Sequence, residues 1–417
     1  MKHRWIALFL AGSLLGCSEG GTPADSGNGT SDDASASASS GKTESGAAAL
    51  DKAAIEASIQ KGVEYLRKQF DDNGVIQMDV GGRVIPSPPF TAFATTAIAR
   101  SMPKDKRAAD PLLQKAQAYL LGMVEDDGKV PGDIAKYHNY YTASTIMALA
   151  AIGDPKTAET RTKMANYILG IQRQEKDRVE GGFGYNSKKS ADLSNTQYAI
   201  EALRAAGIPE DHPQLQEAIK FLERAQNRSE NEANKGVKHD IAEKKIVPGN
   251  DGSATYEPGV SKAGLRKLPD GTYEPIGYGS MTYALLKSYI LCGLDKDDAR
   301  VQAVLKWLGE NYTWTENPGF ETTVRESSRE DAAQARHWGH FYYMVTAAKA
   351  LNLLGQDELQ TEDGPRNWRA DLSKQLMDMQ RGDGHWVNTK ANRWLESDPK
   401  LVSCMAVIAL QEVLDVD

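Results

Sequence analysis

The chain has 417 residues, 40% hydrophobic and 25% charged, with 49 Lys plus Arg against 57 Asp plus Glu for a formal charge of −8. This is a globular composition, long enough for a large core, and the negative balance without a basic run excludes recognition through a nucleic-acid backbone. Three cysteines, Cys17, Cys292 and Cys404, are too few for a disulfide scaffold, and no CxxC or Cys/His spacing suggests structural zinc, so neither metal nor cofactor is expected.

Lys2, His3 and Arg4 precede an apolar run from Trp5 to Leu15. The run is well short of the roughly 20 residues of a bilayer-spanning helix and reads as the core of a secretory signal. It ends in Leu14-Leu15-Gly16-Cys17, which resembles the bacterial lipobox, where the cysteine is lipidated and becomes the mature first residue. Residues 1–17 are therefore expected to be a lipoprotein signal peptide with Cys17 as the lipidation site. Residues 18–48 are mostly Ser, Gly, Ala, Thr and Asp, too poor in apolar side chains to offset their ordering entropy, and read as a tether. Residues 49–417 form the folded domain. It is expected in a bacterial cell envelope, facing periplasm or exterior, as a monomer held to a membrane by its lipid anchor.

Within that domain the chain repeats. Four segments align on a small-residue helix ending in glycine: YTASTIMALAAIG to Gly153, NTQYAIEALRAAG to Gly207, MTYALLKSYILCG to Gly293 and YMVTAAKALNLLG to Gly355. FATTAIARSM and LVSCMAVIALQEVL are poorer copies at the two ends. All are apolar nearly all round, as helices buried on both sides must be. Between them lie amphipathic helices: Ile55, Ile59, Val63, Leu66 and Phe70 share one face, as do Trp368, Leu372, Leu376 and Met379, and four more begin near Asp110, Pro155, Pro209 and Lys296. No run alternates with period two well enough to predict a sheet. Two insertions, 229–276 and 316–339, are long enough to cover one rim.

Six amphipathic helices alternating with six buried ones predict an all-α fold, an (α/α)6 toroid with an outer and an inner ring around an axial cavity. An open solenoid of the same hairpins is the alternative, disfavoured because both end repeats keep the pattern instead of becoming polar caps.

Gln380-Arg381-Gly382-Asp383-Gly384-His385-Trp386 resembles the QxxDGxW repeat of the squalene cyclase, terpene cyclase and protein prenyltransferase family, and Glu180-Gly181-Gly182-Phe183-Gly184-Tyr185 resembles a second copy without the tryptophan. Gly279-Ser280-Met281-Thr282-Tyr283-Ala284 and Asn317-Pro318-Gly319 are similar to signatures of secreted relatives found often in planctomycetes. The resemblance spans about residues 50 to 414. It implies the toroid, and a glutamine and a tryptophan that staple adjacent hairpins.

It also implies where catalysis would sit. Counting fifteen residues back from each glycine places His138, Asp192, Tyr278 and His340 at the mouths of the inner helices, followed by Tyr140 and Tyr141, Ser194 and Asn195, Ser280 and Met281, and Tyr342 and Tyr343. Class II terpene cyclases of this family protonate an alkene from the middle aspartate of a DxDDT motif, since the step needs a strong, desolvated acid. The matching segment here is Asp192-Leu193-Ser194-Asn195-Thr196, whose serine is far too weak an acid. Protein prenyltransferases hold zinc with Asp-x-Cys and a later histidine; here Asp192 matches, while Ser194 and Tyr343 stand at the other two positions. Asp192 and His340 remain the catalytic candidates. With His138 they have the ligand types of a two-histidine, one-carboxylate centre, but repeats two and five lie on opposite sides of a six-hairpin ring. For Asp192 the simpler reading is a helix N-cap.

His138, Tyr140, Tyr141, Asp192, Asn195, Tyr278, His340, Tyr342 and Tyr343 are thus the expected cavity residues. The function expected is an envelope lipoprotein whose toroid binds an apolar, isoprenoid-like or aromatic-stacking small molecule, its family motifs degenerate. An enzyme with a relocated site, terpenoid-processing before carbohydrate-active, and a protein-interaction scaffold are the alternatives. An open cavity favours the first two, a plugged one the third.

Overall fold

A computed structural model describes residues 50–131, 137–186, 189–320 and 332–415. The signal, Cys17 and the tether, residues 1–48, lie outside the described residues.

Among the described residues twelve long helices alternate in two layers. The outer ones are α1 (Lys52–Arg67), α3 (Pro111–Gly122), α5 (Ala158–Gly170), α7 (Pro213–Ala225), α9 (Ala299–Glu310) and α11 (Trp368–Met379). The inner ones are α2 (Pro88–Arg100), α4 (His138–Ile152), α6 (Leu193–Ala205), α8 (Gly279–Leu291), α10 (His340–Leu354) and α12 (Pro399–Val413). Each inner helix packs on the next, and α12 returns to α2, so the ring is closed; outside it α11 touches α1. Local chemistry sets the boundaries. Asp110 and Asp398 accept amide hydrogen bonds from the first turns of α3 and α12, each with proline at the first helical position. Gly153 and Gly355 end α4 and α10 in the left-handed conformation. On α1, Ile55, Ile59, Val63 and Leu66 are buried as their spacing requires, whereas α4, α8 and α12 are buried nearly all round.

The expectation of no sheet is corrected. An antiparallel hairpin β1–β2 (Gln77–Val80, Arg83–Pro86) precedes α2, a second, β7–β8 (Glu358–Thr361, Gly364–Asn367), precedes α11, and insertion 229–276 holds four strands, β3 (His239–Ile241), β4 (Lys244–Ile246), β5 (Leu265–Lys267) and β6 (Tyr273–Pro275), in the order β3-β4-β6-β5. Each strand is three or four residues long. At that length no alternation can register, and the pairing follows from turns such as Gly81-Gly82 and Asp270-Gly271.

The outer helices are joined by one recurring device. Gln380, just after α11, donates to Ser58 O on α1 and to Gly384 O, and accepts from the Ser58 hydroxyl. Gln172 likewise donates to Gly181 O and to Gln214 O at the start of α7, and Gln226 to Gly252 O and Arg300 O at the start of α9. Gly384 has φ +95°, and a Cβ there would stand 2.4 Å from Lys61 O; Gly252 meets Ala303 O in the same way. Only glycine allows so close a backbone approach. Trp386 then fills the junction, fully buried, its indole donating to Leu376 O at 2.7 Å and its ring against Gly62.

Candidate functional site

The N-terminal ends of the inner helices share one rim, and their amide groups are capped from within and from neighbouring segments. Asp192 is the N-cap of α6, Oδ1 accepting the Asn195 amide and Oδ2 the Asn195 side chain, both at 2.8 Å. On α8 the capping group comes from elsewhere: Asn317 accepts the Ser280 amide at 2.9 Å and donates to Ser280 Oγ and Trp338 O. The two sequence signatures around 279–284 and 317–319 thus meet in one cap. Glu396, buried in the loop before α12, accepts the Tyr342 amide of α10 and the Asn388 side chain, each at 2.8 Å. It sits beside Trp394 and Leu395, both at positive φ.

Inside this rim a chain of hydroxyls crosses the ring. Tyr140 on α4 donates to Ser194 Oγ on α6 at 2.7 Å, Ser194 Oγ lies 2.9 Å from the hydroxyl of Tyr342 on α10, and Gln197 donates to that hydroxyl at 3.0 Å. Tyr342 reaches past α8 to do so. Aromatic rings continue inward: Tyr198 packs against Tyr140, Tyr342 and, from α2, Phe93. Outward, Tyr140 packs on Tyr185, whose hydroxyl is 2.9 Å from that of Tyr256 in the first insertion. Phe93, Tyr140, Tyr185, Tyr256 and Tyr342 are all half-buried. An open axial tube is therefore not what the structure shows: side chains of non-neighbouring helices touch across it while keeping partial access to solvent.

One layer deeper lie charges. Glu201 on α6 pairs with Lys287 Nζ on α8 at 2.5 Å and with Lys349 Nζ on α10. Although burial opposes its charge, the two ammonium groups hold the Glu201 carboxyl down at about 2. Burial pushes Lys287 down to about 8 against the pull of Glu201.

Not every expected cavity residue joins this cluster. Tyr140, Asp192, Asn195 and Tyr342 come together, with Tyr278 buried nearby against the ring of Phe320. His138 sits near Lys129, Glu125 and Asp127, lowered by burial. Tyr141 is buried in the core. His340 is buried with Nε2 2.8 Å from Trp314 O and its pKa pushed down by burial to about 4, so it is a neutral donor to a carbonyl. Tyr343 donates to Thr313 O and packs on Tyr283 and Trp314. The reason is helical phase, since a residue one step from Tyr342 is rotated by about 100° into the layer between the rings. Among the described residues no three His, Cys, Asp or Glu side chains are grouped to hold a metal. Asp192 is raised to about 7, chiefly by burial and against its Asn195 hydrogen bonds.

Sequence reasoning did not reach Tyr185, Gln197, Tyr198, Tyr256, Glu201, Lys287, Lys349 or Glu396 as site residues. A signal existed for three of them. Glu201, Lys287 and Lys349 each stand six residues before the glycine of an aligned repeat, charges at one equivalent position of three largely buried helices.

Fold and site define a closed (α/α)6 toroid with polar and aromatic groups gathered at the axis under one rim. A family model of the squalene-hopene cyclase N-terminal domain matches residues 113–227, and one of the prenyltransferase alpha-alpha toroid domain matches 267–415. The chain belongs to the squalene/terpene cyclase and prenyltransferase toroid family. No curated protein matches it. Among solved structures it is similar to the apo type II terpene cyclase MstE from Scytonema (12% identity, 88% of this chain and 99% of that one, TM-score 0.49). It is similar also to the GH76A alpha-1,6-mannanase of Salegentibacter sp. HEL1_6 (11%, 87% and 100%, 0.47) and to an unsaturated glucuronyl hydrolase mutant of Streptococcus agalactiae (13%, 87% and 92%, 0.47). These similarities say nothing about activity.

Proposed function

We propose that this protein is a lipid-anchored component of a bacterial cell envelope whose toroid holds a hydrophobic small molecule at its axis and does not carry out squalene-type cyclisation. The observation that carries the reading is the axial column of half-buried rings, Phe93, Tyr140 and Tyr342, around a serine where the family resemblance expects the protonating acid. Half-buried rings offer faces to an apolar or planar ligand, and the Ser194 hydroxyl, held between two phenols, cannot protonate an alkene. Asp192 is the remaining acid nearby. Both its oxygens are already engaged by Asn195, which suits a cap.

The cross-axis contacts favour a second reading, a scaffold that uses its outer surface. Native mass spectrometry of protein extracted from its host membrane separates the two: a retained small molecule, lost in Tyr342→Ala, supports the ligand, and a bare chain in every preparation supports the scaffold. Cys17→Ser should release the protein from the membrane fraction; a variant that stays bound overturns the lipoprotein assignment. Production of a cyclised triterpene by the wild-type protein would overturn the reading of Ser194.

A further inference from the structure

The hydroxyl chain under the rim carries more hydrogens than its members accept. Tyr140, Ser194 and Tyr342 bring one hydroxyl hydrogen each, and the Gln197 amide brings two. Tyr140 donates to Ser194 Oγ, one hydrogen lies between Ser194 Oγ and the Tyr342 hydroxyl, and Gln197 Nε2 donates to that hydroxyl. Among the described residues these four side chains make no other hydrogen bond, so three of five hydrogens are used and two are left over. One belongs to Ser194 or Tyr342 and the other to Gln197. Gln197 Oε1 has no partner among the described residues although the residue is only 1% exposed. Turning the amide over lets Tyr342 donate to that oxygen, and the two amide hydrogens are then left over instead. The surplus of donors is the same either way.

These donors stand among rings that solvent reaches. Ser194 is 9% exposed, and Phe93, Tyr140 and Tyr342 are half-buried around it. Their helices α2, α4 and α10 pack outward on α1, α5 and α11, so the exposure that remains opens on the mouth of the ring. Charge narrows what can enter. Asp192 and Glu201 are the carboxylates that bear on the Tyr342 hydroxyl, Asp192 bears on Tyr140 as well, and Glu396 holds the Tyr342 amide. An anion would meet carboxylates, although Lys287 and Lys349 already pair with Glu201. An ammonium group has no lone pair to offer. A donor left unfilled in apolar surroundings costs free energy until an acceptor reaches it.

Resting on the proposal that the axis holds a hydrophobic molecule, we infer that this molecule carries an uncharged, conjugated carbonyl, its oxygen accepting from the Ser194 and Tyr342 hydroxyls and its plane against the rings of Phe93, Tyr140 and Tyr342. A carbonyl oxygen has two lone pairs and no hydrogen of its own, which is what a surplus of donors calls for. A hydroxyl would bring a further hydrogen to the same cluster. Conjugation keeps the group flat, and flat apolar bodies are what ring faces stack on.

The test is equilibrium dialysis of the full-length chain carrying Cys17→Ser, so that neither acyl chains nor detergent compete, against 2-acetylnaphthalene, 2-ethylnaphthalene and 2-naphthoate. The ketone and the hydrocarbon have nearly one shape, and the hydrocarbon gains more on leaving water. The ketone should nonetheless bind at least as tightly as the hydrocarbon, and the naphthoate about 10-fold or more weakly than the ketone. Replacing all three hydroxyls while keeping the rings, with Tyr140→Phe, Ser194→Ala and Tyr342→Phe in one chain, should weaken the ketone about 5-fold or more, the weight of a typical neutral hydrogen bond, and leave the hydrocarbon within about 2-fold. The comparison of probes on the unsubstituted cluster decides the matter even if that variant fails to fold. Tighter binding of the hydrocarbon or the naphthoate than of the ketone, or equal losses of ketone and hydrocarbon in the variant, overturns the carbonyl while leaving the hydrophobic chamber standing. Binding of none of the probes overturns both.

Discussion

The junctions between outer helices and the axis of the inner ring are built on opposite terms. At the junctions Gln172, Gln226 and Gln380 repeat one set of backbone hydrogen bonds, and every polar group named there has its partner. At the axis no two of these repeats carry the same pair of side chains at the two levels: Tyr140 stands over Met147, Ser194 over Glu201, Ser280 over Lys287 and Tyr342 over Lys349, several of them partly open to solvent. Repetition marks what every hairpin needs in order to stack. Divergence at equivalent depths marks what the ring does as a whole, because only the axis is shared by all the helices.

The largest effect should come from emptying a junction. Trp386→Ala should destabilise the fold by about 3 to 5 kcal/mol, the usual cost of truncating a fully buried tryptophan, read by denaturant unfolding. A loss under about 1 kcal/mol, typical of surface positions, would mean that the 380–386 segment holds nothing together.

Next comes the charged layer. Glu201→Leu leaves two lysines facing each other and should cost about 3 kcal/mol, the range for removing one partner of a buried pair. Replacing both lysines by methionine in the same chain should restore most of that loss. If the triple variant is no more stable than the single one, the charges are not the reason, and the axis resembles the junctions more than it differs from them.

The rim should show itself in pH dependence. Burial raises Asp192 and Glu396 to about 7 each, above the usual carboxylate range. The folded state therefore binds protons more readily than the unfolded one, and stability should fall as pH rises from about 4 to about 7, not increase. Asp192→Asn, which keeps the cap, should make that slope shallower at little cost at pH 5. An unchanged slope would locate the titration elsewhere.

The smallest effect sharpens the junction side. Gln172→Ala and Gln380→Ala should each cost about 1 kcal/mol or slightly more, the net contribution of a hydrogen bond plus the acceptors left without a donor. Equal losses would confirm that one device serves both junctions, and a much smaller loss at Gln172 would limit it to the segment that retains its tryptophan.

Much of the fold was legible because the helical pattern is local. Glycine-ended apolar helices, amphipathic helices of regular spacing and Asp-Pro starts need no knowledge of the partner. The Asp192 cap was legible for the same reason. The short hairpins were not, since strands of three or four residues leave no periodic trace. Tyr256 was out of reach because it lies in an insertion whose path decides whether it comes near Tyr185. Gln172 and Gln226 were missed because their glycines follow at longer and unequal distances than Gly384 follows Gln380.

What the sequence by itself determined is depth and phase. Register along an aligned helix puts Ser194 and Tyr342 at one level and Glu201, Lys287 and Lys349 at another, because rise and turn per residue are constants of the backbone. Which of these groups face one another was decided only by closure of the ring. Closure brings α10 within reach of α6 across the axis and lets Asn317 and Glu396 cap helices that begin far from them in the chain. Such pairings depend on side chains meeting across a packed interior, and no local stretch of sequence contains that information.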